Sequence, residues 1–139
     1  MGGAALIAGP PYLLDTHIWF WYVHGSDRLA PTIRAELAEA AGALWLSPVS
    51  VWELGLLHMR GRVRLDPGPR GWVTDALRAL PLSEAPVTTE VAQRSNELDL
   101  DHRDPADRFL AATALVYGLT LVTMDGRLVA APWLPTRSA

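Results

Sequence analysis

The chain has 139 residues, half of them hydrophobic, and a formal net charge of −3. That is the size of one domain with ample material for a core, and it carries no global attraction to nucleic acid. Cysteine is absent and all twelve basic residues are arginine, which excludes disulfides, thiolate metal sites and cysteine nucleophiles, and also P-loop, kinase-type and Schiff-base chemistry, each of which needs a lysine.

The N-terminal MGGAALIAGPP has no basic region and too short an apolar run for a signal peptide, and no segment approaches the ~20 apolar residues of a membrane span. Residues 1–10 read as a loose extension ahead of a single domain over 11–139, and a cytoplasmic protein with no membrane contact is expected. PYLLD (11–15) is a short buried strand that ends in Asp15. THIWFWYVHG (16–25) is a helical turn or two closed by Gly25. Its aromatics exceed what one short helix buries on one face, so part of them is a candidate partner surface unless the next helix covers them. That helix, 27–42, has Pro31 near its start and Gly42 past its end.

ALWLS (43–47) is a second strand. It leads into a helix over 47–61 with Ser47 at the N-cap and Pro48 at the first helical position. On this helix Val49, Trp52, Glu53, Leu56 and Leu57 form one stripe, which places Glu53 within an apolar face. A carboxylate there is costly unless it finds a partner or a proton. MRGRVRL then gathers Arg60, Arg62 and Arg64 into a local basic patch, readable as an RNA track, as a solvated loop or as an anchor for an acidic segment of a partner. A helix over 71–80, a short strand over 80–84 and a helix over 88–98 come next.

The longest helix, 104–118, opens DPAD. Asp104 suits the N-cap, Pro105 the first position and Asp107 the third, and both acids suit the positive end of the helix dipole. The apolar, small-residue run behind them predicts a helix sandwiched in the core. Capping accounts for Asp104 and leaves Asp107 able to point elsewhere. LTLVTMD (119–125) is a β-branched strand that again ends in an acid, Asp125, and APWLPT (131–136) is a candidate edge strand.

Strands alternating with helices predict an α/β fold, a three-layer α/β/α sandwich around a mostly parallel sheet, with ligands bound beyond the carboxyl ends of the strands. Asp15 and Asp125 stand at such ends. Each taken alone is as well explained as a turn or cap residue. Together with Glu53 and Asp107 they make four acids from four segments that can meet in one crevice. Carboxylates so placed repel one another, by on the order of 4 kcal/mol for a pair at 4 Å in an effective dielectric near 20. Hard oxygen donors select Mg²⁺ or Mn²⁺, and the chemistry that uses such clusters is phosphodiester hydrolysis.

In this order LLDTHIWFW, SPVSVWELGLL, HRDPADRFLAATAL and LTLVTMDGRL resemble the PIN-domain ribonucleases, and most closely their VapC toxin branch. The resemblance covers residues 11–134. It departs from the family only in the extension before the first strand. It implies an Mg²⁺- or Mn²⁺-dependent endoribonuclease acting on RNA, with Asp15, Glu53, Asp107 and Asp125 as the catalytic and metal-binding quartet. It also implies that Thr16 and Thr123 orient carboxylates or contact phosphate, and that a VapB-type antitoxin and a second copy of the chain are partners. Asp104 takes a capping or supporting role. Arg103 and Arg108, which flank the acids, are candidate phosphate contacts. His102 is a candidate for helix-entry packing or substrate contact. Two other readings stay open: a PIN ribonuclease of RNA processing or decay outside toxin–antitoxin systems, and a non-catalytic PIN-like interaction module.

Overall fold

Among the described residues five short strands carry the fold: β1 (Tyr12–Leu14), β2 (Leu44–Leu46), β3 (Ser83–Glu84), β4 (Thr120–Thr123) and β5 (Thr136–Ser138). In the computed structural model, which describes residues 9–101 and 103–139, they form one sheet in the order β3-β2-β1-β4-β5, and every neighbouring pair is parallel. His102 and residues 1–8 of the expected extension lie outside the described residues. Of the last two extension residues, Gly9 accepts a hydrogen bond from the Thr120 hydroxyl at 2.6 Å, which ties it to the sheet.

The period of two along a strand sorts side chains to opposite faces. Leu14, Leu44, Leu46 and Val122 face one core cluster, and Leu13 and Leu121 face the other. The first cluster is completed by Ile18 and Trp19 from α1 (Thr16–His24), Ile33 and Leu37 from α2 (Pro31–Glu39), Leu54 from α3 (Pro48–Met59) and Trp72 from α4 (Pro69–Ala79). The second is filled by Leu110, Ala111 and Ala114 of α6 (Pro105–Tyr117) and by Leu128 of α7 (Gly126–Val129). Helices thus cover both faces of a parallel sheet, and the three-layer expectation holds. No helix among the described residues is long and apolar enough to cross a membrane.

Several boundaries differ from those expected. The second helix starts at Pro31, because residues 26–29 form a turn in which Ser26 accepts the amides of Arg28 and Leu29. The helix expected at 71 begins at Pro69, where proline suits the first turn. The strand expected to run to Asp125 stops at Thr123, since Asp125 caps α7 by accepting the Arg127 amide at 2.8 Å. The last strand is 136–138 rather than 131–136. Pro135 has no amide to donate, but its carbonyl accepts the Leu121 N–H at 2.9 Å and sets the register of β5 against β4.

The aromatic segment is covered by α4 as well as by α2, whose Ile33 and Leu37 share its core cluster. Trp72 of α4 packs edge-on against Trp19, lies beside Phe20 and stacks on His24, to which its indole N–H donates at 3.2 Å. The face expected to be buried on α3 is also rotated. Its buried residues are Ser50 and Leu54, while Trp52 is 55% exposed. Glu53 therefore stands at the flank of the buried face, half-buried, rather than within an apolar stripe.

Two arginines brace the ends of the sheet and of α5 (Thr89–Glu97). Arg137 of β5 grips Glu36 of α2 through two nitrogens, and the same carboxylate lies 3.4 Å from the buried Tyr12 hydroxyl. Arg108, expected to contact phosphate, instead donates to three carbonyls: Ser95 (3.0 Å), Leu98 (3.2 Å) and Leu100 (2.7 Å). These are groups that the end of α5 and the chain beyond it leave without helical partners, and a cation is favoured at the negative end of a helix. Replacing Arg108 by Met should therefore lower the unfolding free energy by about 2 kcal/mol in urea titration followed by circular dichroism. An unchanged midpoint would show that these carbonyls do not need it.

Candidate active site

The carboxyl ends of β1 and β4 lie side by side, because the Asp15 amide donates to the Val122 carbonyl at 3.0 Å and extends the β1–β4 pairing by one residue. The N-termini of α3 and α6 flank the same edge. A cleft of about 420 Å³ opens there, lined by Asp15, Glu53, Asp104, Asp107 and Asp125 together with His17, Ile18, Trp21, Arg28 and Met124. The four acids assigned from the sequence, on β1, α3, α6 and the β4–α7 junction, thus share one cavity at the position where parallel sheets hold ligands.

Threonines set the orientation of Asp15 and Glu53. Asp15 caps α1: its Oδ1 accepts the Thr16 amide at 2.6 Å, and its Oδ2 accepts the Thr123 hydroxyl at 2.6 Å. Thr123 in turn accepts the Asp125 amide at 3.0 Å. The fully buried Thr16 hydroxyl donates to Glu53 Oε1 and lies 3.1 Å from the Oγ of Ser50, also fully buried. A hydroxyl has one proton, and the carboxylate is the stronger acceptor, so Ser50 is left to donate to Thr16. A chain Ser50–Thr16–Glu53 results, and Thr16 serves β1 and α3 at once.

Asp107 is buried, at 8% exposure. Asp104 accepts the Ala106 amide at 3.0 Å as the N-cap of α6, and its side chain also borders the cleft. Arg103 is exposed and does not line the cleft. The Arg60–Arg64 patch lies beyond α3, where Arg64 pairs with Asp66 at 3.1 Å in full solvent. Ser50, Met124 and Arg28 are among the contributors that the sequence does not single out. Ser50 could have been found as the position one turn before Glu53, and Met124 as the link between Thr123 and Asp125. Arg28 carries no motif that points to it.

Burial pushes the Asp15 carboxyl above its ordinary pKa, against the lowering effect of the Thr123 and Thr16 bonds, and the charge of Asp125 raises it further. Glu53 is raised by the same desolvation, opposed by Thr16 and helped by the charges of Asp15 and Asp104. Such a cleft favours any cation that can replace a proton. Among the described residues, no three acidic or imidazole side chains are grouped tightly enough to enclose one ion. The acids share the cleft without forming a closed shell in it. The donor set still fits a hard divalent cation: it is carboxylate oxygen throughout, partly desolvated and short of positive charge.

A family model described as the PIN domain matches residues 12–134. The chain is 31% identical over 119 residues to Ribonuclease VapC22 of Mycobacterium tuberculosis, covering 84% of this chain and 88% of that protein. Among solved structures, VapBC2 of Rickettsia felis bound to a promoter DNA fragment superposes with a TM-score of 0.70 at 17% identity, over 92% of this chain and 98% of that one. DNA-bound VapBC of Salmonella typhimurium gives 0.69 at 15% identity, over 95% and 98%. At these identities the two structures establish the fold.

The raised pKa of Glu53 has a consequence for stability. A carboxyl that binds its proton more tightly when folded contributes stability below its unfolded pKa, near 4.3, and loses it as pH rises through the folded value. In the absence of divalent cations, Glu53→Gln should therefore melt above the parent protein at pH 7.5, with the gap closing as the pH falls toward 4. Calorimetric scans across that range decide it, and a parent that is more stable at pH 7.5 would contradict it.

Proposed function

The chain belongs to the PIN-domain family, and on that premise we propose that it is a divalent-cation-dependent endoribonuclease, the toxin of a VapBC-type pair. The observation that carries this reading is the convergence of Asp15, Glu53, Asp107 and Asp125, from four separate segments, on one cleft at the carboxyl ends of the strands. The relative named as a ribonuclease supports RNA as the substrate. The neighbours solved as VapBC assemblies support a VapB-type antitoxin as the partner.

In this reading Asp15, Glu53, Asp107 and Asp125 hold Mg²⁺ or Mn²⁺. When bound, the cation supplies Lewis-acid stabilisation of the charge that develops on the phosphorus oxygens during hydrolysis. The chain's own part is orientation. Thr123 and the Thr16 amide fix both oxygens of Asp15, Thr16 fixes one oxygen of Glu53, and the buried first turn of α6 fixes Asp107. Carboxylates held this way need no reordering when a cation and a phosphate arrive.

The two acids that open α6 have separable roles. Asp107→Asn should cut RNA cleavage in Mn²⁺ by at least about a hundredfold while leaving the melting temperature in the folded range. Asp104→Asn keeps an equally good N-cap and should stay within about tenfold of the parent. Gel assays of purified protein on total RNA test both, with chelation by EDTA as the zero point. Cleavage by Asp107→Asn at the parent's rate would remove Asp107 from the site.

A further inference from the structure

The cleft holds a charge that metal binding does not use. Among the described residues lining it, five are carboxylates and Arg28 is the one arginine. Arg28 lies on the turn between α1 and α2, thirteen residues after Asp15 and further from the other three acids of the quartet. We infer that Arg28 binds a phosphate of the RNA strand next to the scissile bond, an assignment that rests on the ribonuclease reading.

The backbone around Arg28 is pinned while its side chain is left exposed. Gly25 closes α1 in the left-handed conformation, with φ of 63°, and the Ser26 amide donates to the Trp21 carbonyl at 2.9 Å. The Ser26 hydroxyl accepts the Arg28 amide at 3.1 Å, and the Ser26 carbonyl accepts the Leu29 amide at 3.2 Å. Leu29, the next residue, is 2% exposed within the core. Arg34 clamps the turn from α2, donating to the Ser26 carbonyl at 2.9 Å and the Tyr22 carbonyl at 3.3 Å, with its guanidinium 5.5 Å above the Tyr22 ring. A cation presented from so fixed a turn loses little backbone entropy on binding.

Other arginines of the fold are committed elsewhere: Arg34 to this turn, Arg108 to the end of α5 and Arg137 to Glu36. Among the described residues, the Arg28 guanidinium enters no hydrogen bond or ion pair, although five carboxylates line the same cavity. An arginine that neutralised one of those acids would compete with the divalent cation. One that stands apart from them keeps its planar fork for an anion that must come from outside. An acidic cleft in a chain of net charge −3 repels a polyphosphate strand, and a fixed cation at its border offsets that repulsion. Half-buried Trp21 and exposed Met124, on the same walls, give the adjoining nucleoside apolar surface.

The test is fluorescence anisotropy of a short mixed-sequence single-stranded RNA on the parent protein, Arg28→Gln and Arg28→Lys. Ca²⁺ replaces Mg²⁺, KCl is varied, and Mn²⁺ affinity is followed in parallel by electron paramagnetic resonance. Arg28→Gln should bind RNA roughly tenfold more weakly, with the slope of log affinity against log salt reduced by about 0.7, and with Mn²⁺ affinity unchanged. Arg28→Lys should retain the slope and recover only part of the affinity, since it keeps the charge and loses the fork. If the parent binds RNA and Arg28→Gln matches it in affinity and slope, the assignment is wrong and the ribonuclease reading stands. Loss of Mn²⁺ binding in Arg28→Gln would also overturn it, by making the residue a support for the acids. RNA binding by neither protein would overturn both.

Discussion

Holding several carboxylates in one partly desolvated cleft is the constraint around which this molecule is organised, and Thr16 is where that constraint is met. Its amide and its hydroxyl bond two different acids, Asp15 from the sheet and Glu53 from α3. Burial drives both acids toward protonation. Thr16 and Thr123 supply neutral donors, which fix the carboxylates without neutralising them. A lysine or arginine in those places would neutralise the acids and stand in the place of a cation. Thr16 and Ser50 have no exposure, so no water can take over these bonds.

The rest of the fold brings those groups into range. The β1–β4 pairing, continued by the Asp15 amide, puts the ends of two non-consecutive strands side by side. Helix α6, lined with alanines on its buried face, packs closely against the sheet and carries Asp104 and Asp107 to the same edge. Arg108, one residue on, binds the end of α5. Asp104, Asp107 and Arg108 at the start of that helix therefore cap it, enter the cleft and brace a neighbouring helix. A single turn can do all three because helical positions project in different directions.

Much of this was legible in the sequence because it is local. Asp15 and Asp125 could be read from buried runs that end in an acid, and Ser47 and Asp104 from cap residues followed by proline. Glu53 was singled out from a stripe that does not exist: α3 is apolar on several sides, so its periodicity could not say which side faces the core. The structure chooses Ser50 and Leu54, because small Ser50 lets α3 approach Thr16. The arginines went the other way. Arg108 is adjacent to an acid in sequence and turns away from the cleft, while Arg28 is adjacent to none of the quartet and borders it. A side chain's partners across the fold leave no trace in its local pattern, and β5 was misplaced for a related reason, since an edge strand of three residues is set by its neighbour's register rather than by its own composition.

The central claim is that the acids of this cleft bind a divalent cation, and it can be tested by locating the ion. Crystals soaked in Mn²⁺ and measured at the manganese absorption edge should show an anomalous peak in the cleft, about 2.2 Å from oxygens of at least two of Asp15, Glu53, Asp107 and Asp125. A cleft without anomalous density at saturating Mn²⁺, with Asp15 and Glu53 still on their threonines, would contradict it.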